Sequence, residues 1–135
     1  MSLVDLARQA AENSYSPYSE FAVGAAVQWA DGTVTIGTNV ENKSYGLTQC
    51  AERSAVTAGI SQGLRDILAI AVWVGEACPV SPCGACRQVL SEFSSPENSL
   101  EVTLACPSGD RNANQRIGTY PARGAHELEE RDVSR

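Results

Sequence analysis

The feature that most constrains the fold is a run of apolar residues from Ile67 to Val74. Its length suits a β-strand, and a strand without polar side chains is typical of a sheet centre that is covered on both faces. Helical patterns lie on either side of this run, over residues 51–61 and from Ser81 to about Phe93. Helices that alternate with buried strands predict a layered α/β domain.

The other predicted elements complete this arrangement. A helix with one apolar face is expected from residue 3 to about residue 14, and Asp31-Gly32 is a strong hairpin signal. The order α-β-β-α-β-α-β predicts a parallel crossover after the hairpin, and therefore a mixed sheet with helices on both faces. The predicted strands are residues 21–29, 33–37, 67–74 and 100–105, with a loop at 39–49, a weak pattern at 106–124 and a short charged helix at 126–132.

Length and charge narrow the functional classes. The chain of 135 residues fits one domain, which is expected to span residues 1–135. No apolar run reaches the roughly 20 residues of a membrane helix, and the first residues lack the pattern of a signal peptide, so a cytoplasmic protein is expected. The net charge of −6 disfavours binding to DNA or RNA backbones and suits a small neutral substrate.

The five cysteines include one C-x-x-C pair, Cys83 and Cys86. Without a secretion signal, such a pair indicates metal or redox chemistry rather than a structural disulfide. The pair follows Pro82 at a predicted helix start, where unpaired backbone N–H groups and the helix dipole favour thiolates. Cys78 and Cys106 are expected to be plain thiols.

A second motif supplies a third sulfur. Cys50 precedes the helix predicted over residues 51–61, so two helix starts can face each other across one metal ion. Three thiolates leave the fourth position of a tetrahedral zinc ion open, which is typical of a catalytic site. Glu52, in the first turn, can reach a water molecule in that position. Arg53 and Arg87 lie near these cysteines and can donate hydrogen bonds to the sulfurs, which offsets the excess negative charge.

Together these segments resemble the zinc-dependent cytidine deaminase family, in particular its small, homotetrameric free-nucleoside type with three cysteine ligands. The resemblance covers about residues 5–105 and implies a three-layer α/β/α fold with a mixed sheet of about five strands. Four stretches carry it, in the same order and spacing: Tyr18-Ser19-Glu20-Phe21-Ala22-Val23-Gly24-Ala25-Ala26, Asn39-Val40-Glu41-Asn42, Cys50-Ala51-Glu52-Arg53 and Pro82-Cys83-Gly84-Ala85-Cys86.

The resemblance also implies a reaction: hydrolytic deamination of cytidine or deoxycytidine to uridine or deoxyuridine and ammonia, as in pyrimidine salvage. A zinc-activated hydroxide attacks the ring while Glu52 carries protons. Zn²⁺ would be held by Cys50, Cys83 and Cys86. The implied substrate contacts are Asn39 and Glu41 to the ribose hydroxyls, the Ala51 backbone to the pyrimidine edge, Phe21 to the base, and Tyr45 as a residue shared between neighbouring subunits.

The C-terminal segment, about residues 106–135, departs from the family pattern. Similar proteins end in a Leu-Leu-Pro segment and an aromatic residue that stacks on the base, whereas here no aromatic residue follows Tyr120-Pro121. This divergence leaves open a related aminohydrolase that acts on a modified cytosine nucleoside or on a nucleoside antibiotic of the blasticidin S type.

Simpler interpretations also remain. The cysteines could form a structural zinc site in an interaction module without catalytic activity. A deaminase domain that edits or binds nucleic acid is another possible functional class. Asn39 and Glu41 could be loop residues that satisfy backbone groups, and Phe21 could be a core aromatic. We favour a catalytic site because Glu52 accompanies an open ligand position and because the motifs occur together.

Overall fold

A computed structural model of the protein describes residues 1–75, 84–94, 100–107 and 109–112. Cys78, Cys83, Tyr120 and the helix predicted at residues 126–132 lie outside these ranges. The described elements are α1 (Leu3–Ala11), β1 (Val23–Trp29), β2 (Val34–Thr38), a 3₁₀ turn (Tyr45–Leu47), α2 (Ala51–Ser61), β3 (Ile67–Val74), α3 (Gly84–Phe93), β4 (Glu101–Cys106) and β5 (Gly109–Asn112). No helix in the described part of the chain is long and apolar enough to span a membrane.

The apolar run forms the middle strand of the sheet, as predicted. The described strands lie in the order β2-β1-β3-β4-β5, which puts two strands on each side of β3. Strand β3 pairs antiparallel with β1 and parallel with β4, and β2 and β5 pair antiparallel with their neighbours. The mixed sheet of about five strands and the parallel crossover are therefore confirmed.

The helices cover both faces of the sheet. Helix α1 packs on the face that carries Ala26 and Ala71, while α2 and the α3 residue Leu90 join the larger core on the other face. Side chains alternate between the faces of a strand, so both halves of the apolar β3 are used. The three-layer α/β/α prediction is confirmed.

The element bounds differ slightly from the sequence predictions, except for α2 and β3, which match. Helix α1 ends at Ala11 rather than near residue 14, because the next three backbone N–H groups donate to carbonyls three residues back, in a tighter turn. Strand β1 begins at Val23 rather than Phe21. Strand β5 was not predicted, because its residues include no apolar side chain and its pairing with β4 is a tertiary contact.

Two glycines let the helices approach the sheet closely. A Cβ atom on Gly24 would lie 2.6 Å from the Ala11 nitrogen in α1. On the opposite face, a Cβ atom on Gly37 would lie 2.7 Å from the Ala51 carbonyl oxygen at the start of α2. Backbone atoms cannot move aside as a flexible side chain can, so α2 sits where it does because position 37 has no side chain.

We expect Gly37→Ala to lower the free energy of unfolding by about 2–3 kcal/mol, because the methyl group overlaps the backbone of α2. The matched control is Gly46→Ala, where a Cβ atom meets nothing within 4 Å and the free energy should change by less than ~0.5 kcal/mol. Urea denaturation measures both variants. Equal stability of the two would contradict the packing described above.

Candidate active site

Two helix starts bring the predicted site residues together. Cys50 is the N-cap residue of α2, with an extended backbone, and Glu52 lies in the first turn of that helix. Cys86 is the third residue of α3 and is fully buried. The Glu52 carboxylate is hydrogen-bonded to Cys86 and lies close enough to Cys50 to respond to its charge. The structure therefore brings one carboxylate and two sulfurs of the predicted site together.

Burial dominates the chemistry of Glu52. The residue is only 6% exposed, and this burial raises the pKa of its carboxyl above the usual value. Its own backbone N–H lowers the pKa, whereas the charge of the Cys50 thiolate raises it further. A carboxylate whose proton affinity is raised in this way is suited to act as a general base.

Arg53 supplies positive charge beside the sulfurs. Its Nη2 atom donates a hydrogen bond to Cys50 Sγ at 3.4 Å. This bond, together with the charges of Cys50 and Cys86, raises the pKa of the Arg53 guanidinium. Arg87, the second predicted cation, directly follows Cys86 in α3 and is partly buried. A guanidinium that donates to a thiolate stabilises the deprotonated sulfur, which is the form that binds metal.

The two described sulfurs fit a zinc site. They come from separate helix starts, are accompanied by an arginine donor, and lie beside a carboxylate that is buried rather than exposed. Soft thiolates with hydrogen-bond donors around them are ligands that zinc accepts. The third predicted ligand, Cys83, lies outside the described residues. The prediction of a plain thiol at Cys106 is wrong, because that residue is disulfide-bonded.

A cavity of about 290 Å³ opens beside Glu52. Five predicted site residues line it: Phe21, Asn39, Cys50, Ala51 and Glu52. It has apolar walls and a polar end, which suits a flat heterocycle with one reactive edge.

Sequence reasoning missed five further residues of this cavity: Val23, Thr48, Gln49, Val72 and Val74. The three valines belong to β1 and β3, whose alternation was visible. Both faces of β3 are buried, however, so no sequence pattern indicated which of its side chains would face a cavity. Thr48 and Gln49 directly precede Cys50, and this proximity was the only signal that could have found them.

The Asn39 side chain is already used within the protein. Its Oδ1 atom accepts hydrogen bonds from Ser14 Oγ at 2.5 Å and from the Val23 backbone N–H at 3.0 Å. Its Nδ2 atom donates to the Phe21 carbonyl oxygen at 2.7 Å. Asn39 therefore holds the start of β1, and with it the cavity wall that contains Phe21 and Val23.

Glu41 and Tyr45 line a second cavity, of about 400 Å³. The Glu41 carboxylate accepts hydrogen bonds from the backbone N–H groups of Tyr18 and Ser19 at 3.0 and 3.1 Å, and from the Ser19 hydroxyl. The Ser19 hydrogen bond lowers the pKa of Glu41, so this carboxylate stays charged. The structure thus separates Glu41 and Tyr45 from the cavity of Glu52, although Thr48 lines both spaces.

Comparison with known proteins identifies the family. Residues 1–100 match the family model described as the cytidine and deoxycytidylate deaminase zinc-binding region. The chain is 56% identical over 91 residues to a cytidine deaminase of Halalkalibacterium halodurans, covering 67% of this chain and 69% of the relative. It is 46% identical over 108 residues to a cytidine deaminase of Sporosarcina psychrophila, covering 80% and 78%.

Solved structures agree with the sequence comparison. The crystal structure of cytidine deaminase from Burkholderia pseudomallei aligns with a TM-score of 0.75 at 45% identity, covering 82% of this chain and 91% of that one. The structure of cytidine deaminase from Mycobacterium tuberculosis aligns with a TM-score of 0.69 at 44% identity, covering 87% and 89%. The buried Glu52 between two cysteines, the layered fold and these matches together show that the chain belongs to the zinc-dependent cytidine deaminase family.

Proposed function

We propose that this protein hydrolyses cytidine or deoxycytidine to uridine or deoxyuridine and ammonia, with zinc as its cofactor. One observation carries the proposal: the buried Glu52 carboxylate contacts Cys86 and lies beside Cys50, at the polar end of an otherwise apolar cavity. The family matches support the same activity, and no observation favours the antibiotic-directed alternative.

In this proposal Cys50, Cys83 and Cys86 hold the zinc ion, one per chain. When bound, zinc would act as a Lewis acid that makes water a competent nucleophile near neutral pH. Arg53 keeps the Cys50 sulfur in its thiolate form through the hydrogen bond from Nη2. We propose that Arg87 does the same for the sulfurs of the second motif.

Glu52 moves the protons. It accepts a proton from the attacking water and delivers it to the ring nitrogen N3, while the water oxygen bonds to C4. Glu52 then carries the second water proton to the exocyclic amine, the C4–N4 bond breaks, and ammonia leaves. Burial supports this role, because a carboxylate with a raised pKa is a stronger base toward the attacking water than an exposed carboxylate.

The cavity walls hold the substrate. We propose that Phe21 packs against the pyrimidine ring and that the Ala51 backbone contacts its polar edge. The Glu41 carboxylate would bind the ribose hydroxyls together with Asn39, whose Nδ2 atom donates one N–H to the Phe21 carbonyl oxygen and has a second N–H for the ribose. Support for Phe21, Ala51 and Asn39 comes from their shared cavity with Glu52. Support for Glu41 and Tyr45 comes from the adjoining polar cavity, into which a sugar attached to the base would extend.

We also propose a homotetramer in the cytoplasm that acts in pyrimidine salvage, with residues 1–135 as one deaminase-like domain. Exposed apolar side chains around the second cavity support association between chains: Tyr45 is 91% exposed and Leu47 is 70% exposed. Exposed large apolar side chains that lie near each other are often covered in an assembly of chains. Sedimentation velocity of the purified protein tests the tetramer, which a monomer peak at micromolar concentration would contradict.

The activity itself is tested by ammonia release from a substrate panel. Cytidine and deoxycytidine should be turned over by the zinc-loaded protein, and cytosine, 5-methylcytidine and blasticidin S should be poorer substrates. Turnover of blasticidin S alone would replace the proposal with its antibiotic-directed alternative. A gel-shift measurement at low salt tests whether the protein binds DNA or RNA. We expect no shift, because the net charge of −6 opposes binding to a phosphate backbone.

We expect Glu52→Gln to keep its zinc and to lower kcat for cytidine by about 10⁴-fold. General acid–base groups contribute ~10²–10⁴-fold, and one group that serves several transfers should reach the upper end. The glutamine preserves size and lacks the titrating carboxyl, so metal content by mass spectrometry should be unchanged. The matched control is Glu12→Gln, an exposed residue at the end of α1, which should keep full activity. Turnover within tenfold of the unsubstituted protein would remove Glu52 from the mechanism.

We expect Arg53→Gln to weaken zinc binding by about 10–100-fold, the usual effect of losing a residue that hydrogen-bonds a metal ligand. Competition with a chromophoric chelator measures the affinity. Arg65→Gln is the control, because Arg65 lies beyond the other end of α2 and donates to the Ile60 and Leu64 carbonyls. If both variants bind zinc equally well, the Arg53 contact has no role in metal binding.

A further inference from the structure

Thr48 lies where the two cavities meet. Of the described residues that line the cavity of Glu52 or the cavity of Glu41, Thr48 is the one that lines both. Its position two residues before Cys50 ties it to the start of α2, and Asn42 N–H donates to its Oγ1 atom at 3.3 Å. A ligand that occupies both cavities must therefore pass Thr48.

The two cavities differ in chemistry. The first has walls formed by Phe21, Val23 and valines of β3, which suit the flat faces of a base. The second contains the charged Glu41 carboxylate, the Ser19 hydroxyl and Lys43, which suit hydroxyl groups. A nucleoside placed with its ring in the first cavity carries its sugar past Thr48 toward the second.

The hydroxyl of Thr48 has a proton to donate. Its Oγ1 atom accepts the bond from Asn42, and its backbone N–H donates to the Tyr45 carbonyl oxygen at 3.1 Å. Within residues 1–75, 84–94, 100–107 and 109–112, no acceptor receives the hydroxyl proton. Thr48 is partly exposed, so water can accept this proton until a ligand replaces it.

We propose that the Thr48 hydroxyl donates a hydrogen bond to the 2′- or 3′-hydroxyl of the bound nucleoside, which makes Thr48 a residue that determines specificity for the sugar. The inference rests on the proposed function, because it assumes that the base lies beside Glu52. The Asn42 bond orients Oγ1, and the two cavities place it between base and sugar. Loss of this donor would leave the sugar hydroxyl without its partner.

The test compares Thr48→Val, which removes the hydroxyl but keeps the shape, with Thr48→Ser, which keeps the hydroxyl. Thr48→Ala is a second variant without the hydroxyl, and Thr33→Val in the hairpin is the control. Steady-state ammonia release is measured for cytidine, 2′-deoxycytidine and 2′,3′-dideoxycytidine, after zinc content has been matched. Activity of the unsubstituted protein on cytidine tests the proposed function first and separately.

We expect Thr48→Val and Thr48→Ala to raise KM for cytidine about 3–10-fold with kcat within about twofold, which is the effect of losing one neutral hydrogen bond. Thr48→Ser and Thr33→Val should stay within about twofold in KM. The increase in KM should disappear with 2′,3′-dideoxycytidine, which lacks both hydroxyls. If the increase remains with 2′-deoxycytidine, Thr48 binds the 3′-hydroxyl, and if it disappears, Thr48 binds the 2′-hydroxyl. An unchanged KM for cytidine, or an equal penalty on the dideoxynucleoside, would overturn the proposal while leaving the deaminase activity standing.

Discussion

Helix α2 is held against the sheet by a chain of two buried hydrogen bonds. Trp29 Nε1 donates to Thr35 Oγ1 at 2.9 Å, and Thr35 Oγ1 donates to the Ala55 carbonyl oxygen at 2.8 Å. These bonds join β1, β2 and α2 inside the core, where an unpaired polar group would be costly. Gly59 lies against the Trp29 ring, and Gly37 lies under the first turns of the helix. Because α2 is fixed in this way, the Cys50–Glu52 segment at its start is fixed as well.

Charge at this helix start is balanced by neighbours rather than by water. Glu52 and Cys86 are both buried, so their negative charge must be compensated within the protein. Arg53 provides part of this compensation through its contacts with Cys50 and Cys86. Three thiolates on one Zn²⁺ ion would leave a net charge of −1, and helix starts with arginine donors reduce the loss of Lewis acidity that follows.

Two glutamates of the same region have opposite environments. Burial raises the pKa of Glu52, whereas hydrogen bonds from Ser19 lower the pKa of Glu41. The first environment suits a group that exchanges protons, and the second suits a permanent acceptor that orients hydroxyl groups. The same side-chain type therefore has a raised pKa in one cavity and a lowered pKa in the next.

The sequence by itself determined the layered fold, the extents of α2 and β3, and the meeting of Cys50, Glu52 and Cys86. These follow from local signals: an apolar run, helix-start motifs and their order along the chain. Only the tertiary structure decided which valines face the cavity, that the Asn39 side chain holds β1, and that Thr48 joins the two cavities. The tertiary structure alone also decided the presence of strand β5, because this strand is defined by its pairing with β4. Such features depend on residues far apart in sequence, and no local pattern specifies which of them meet.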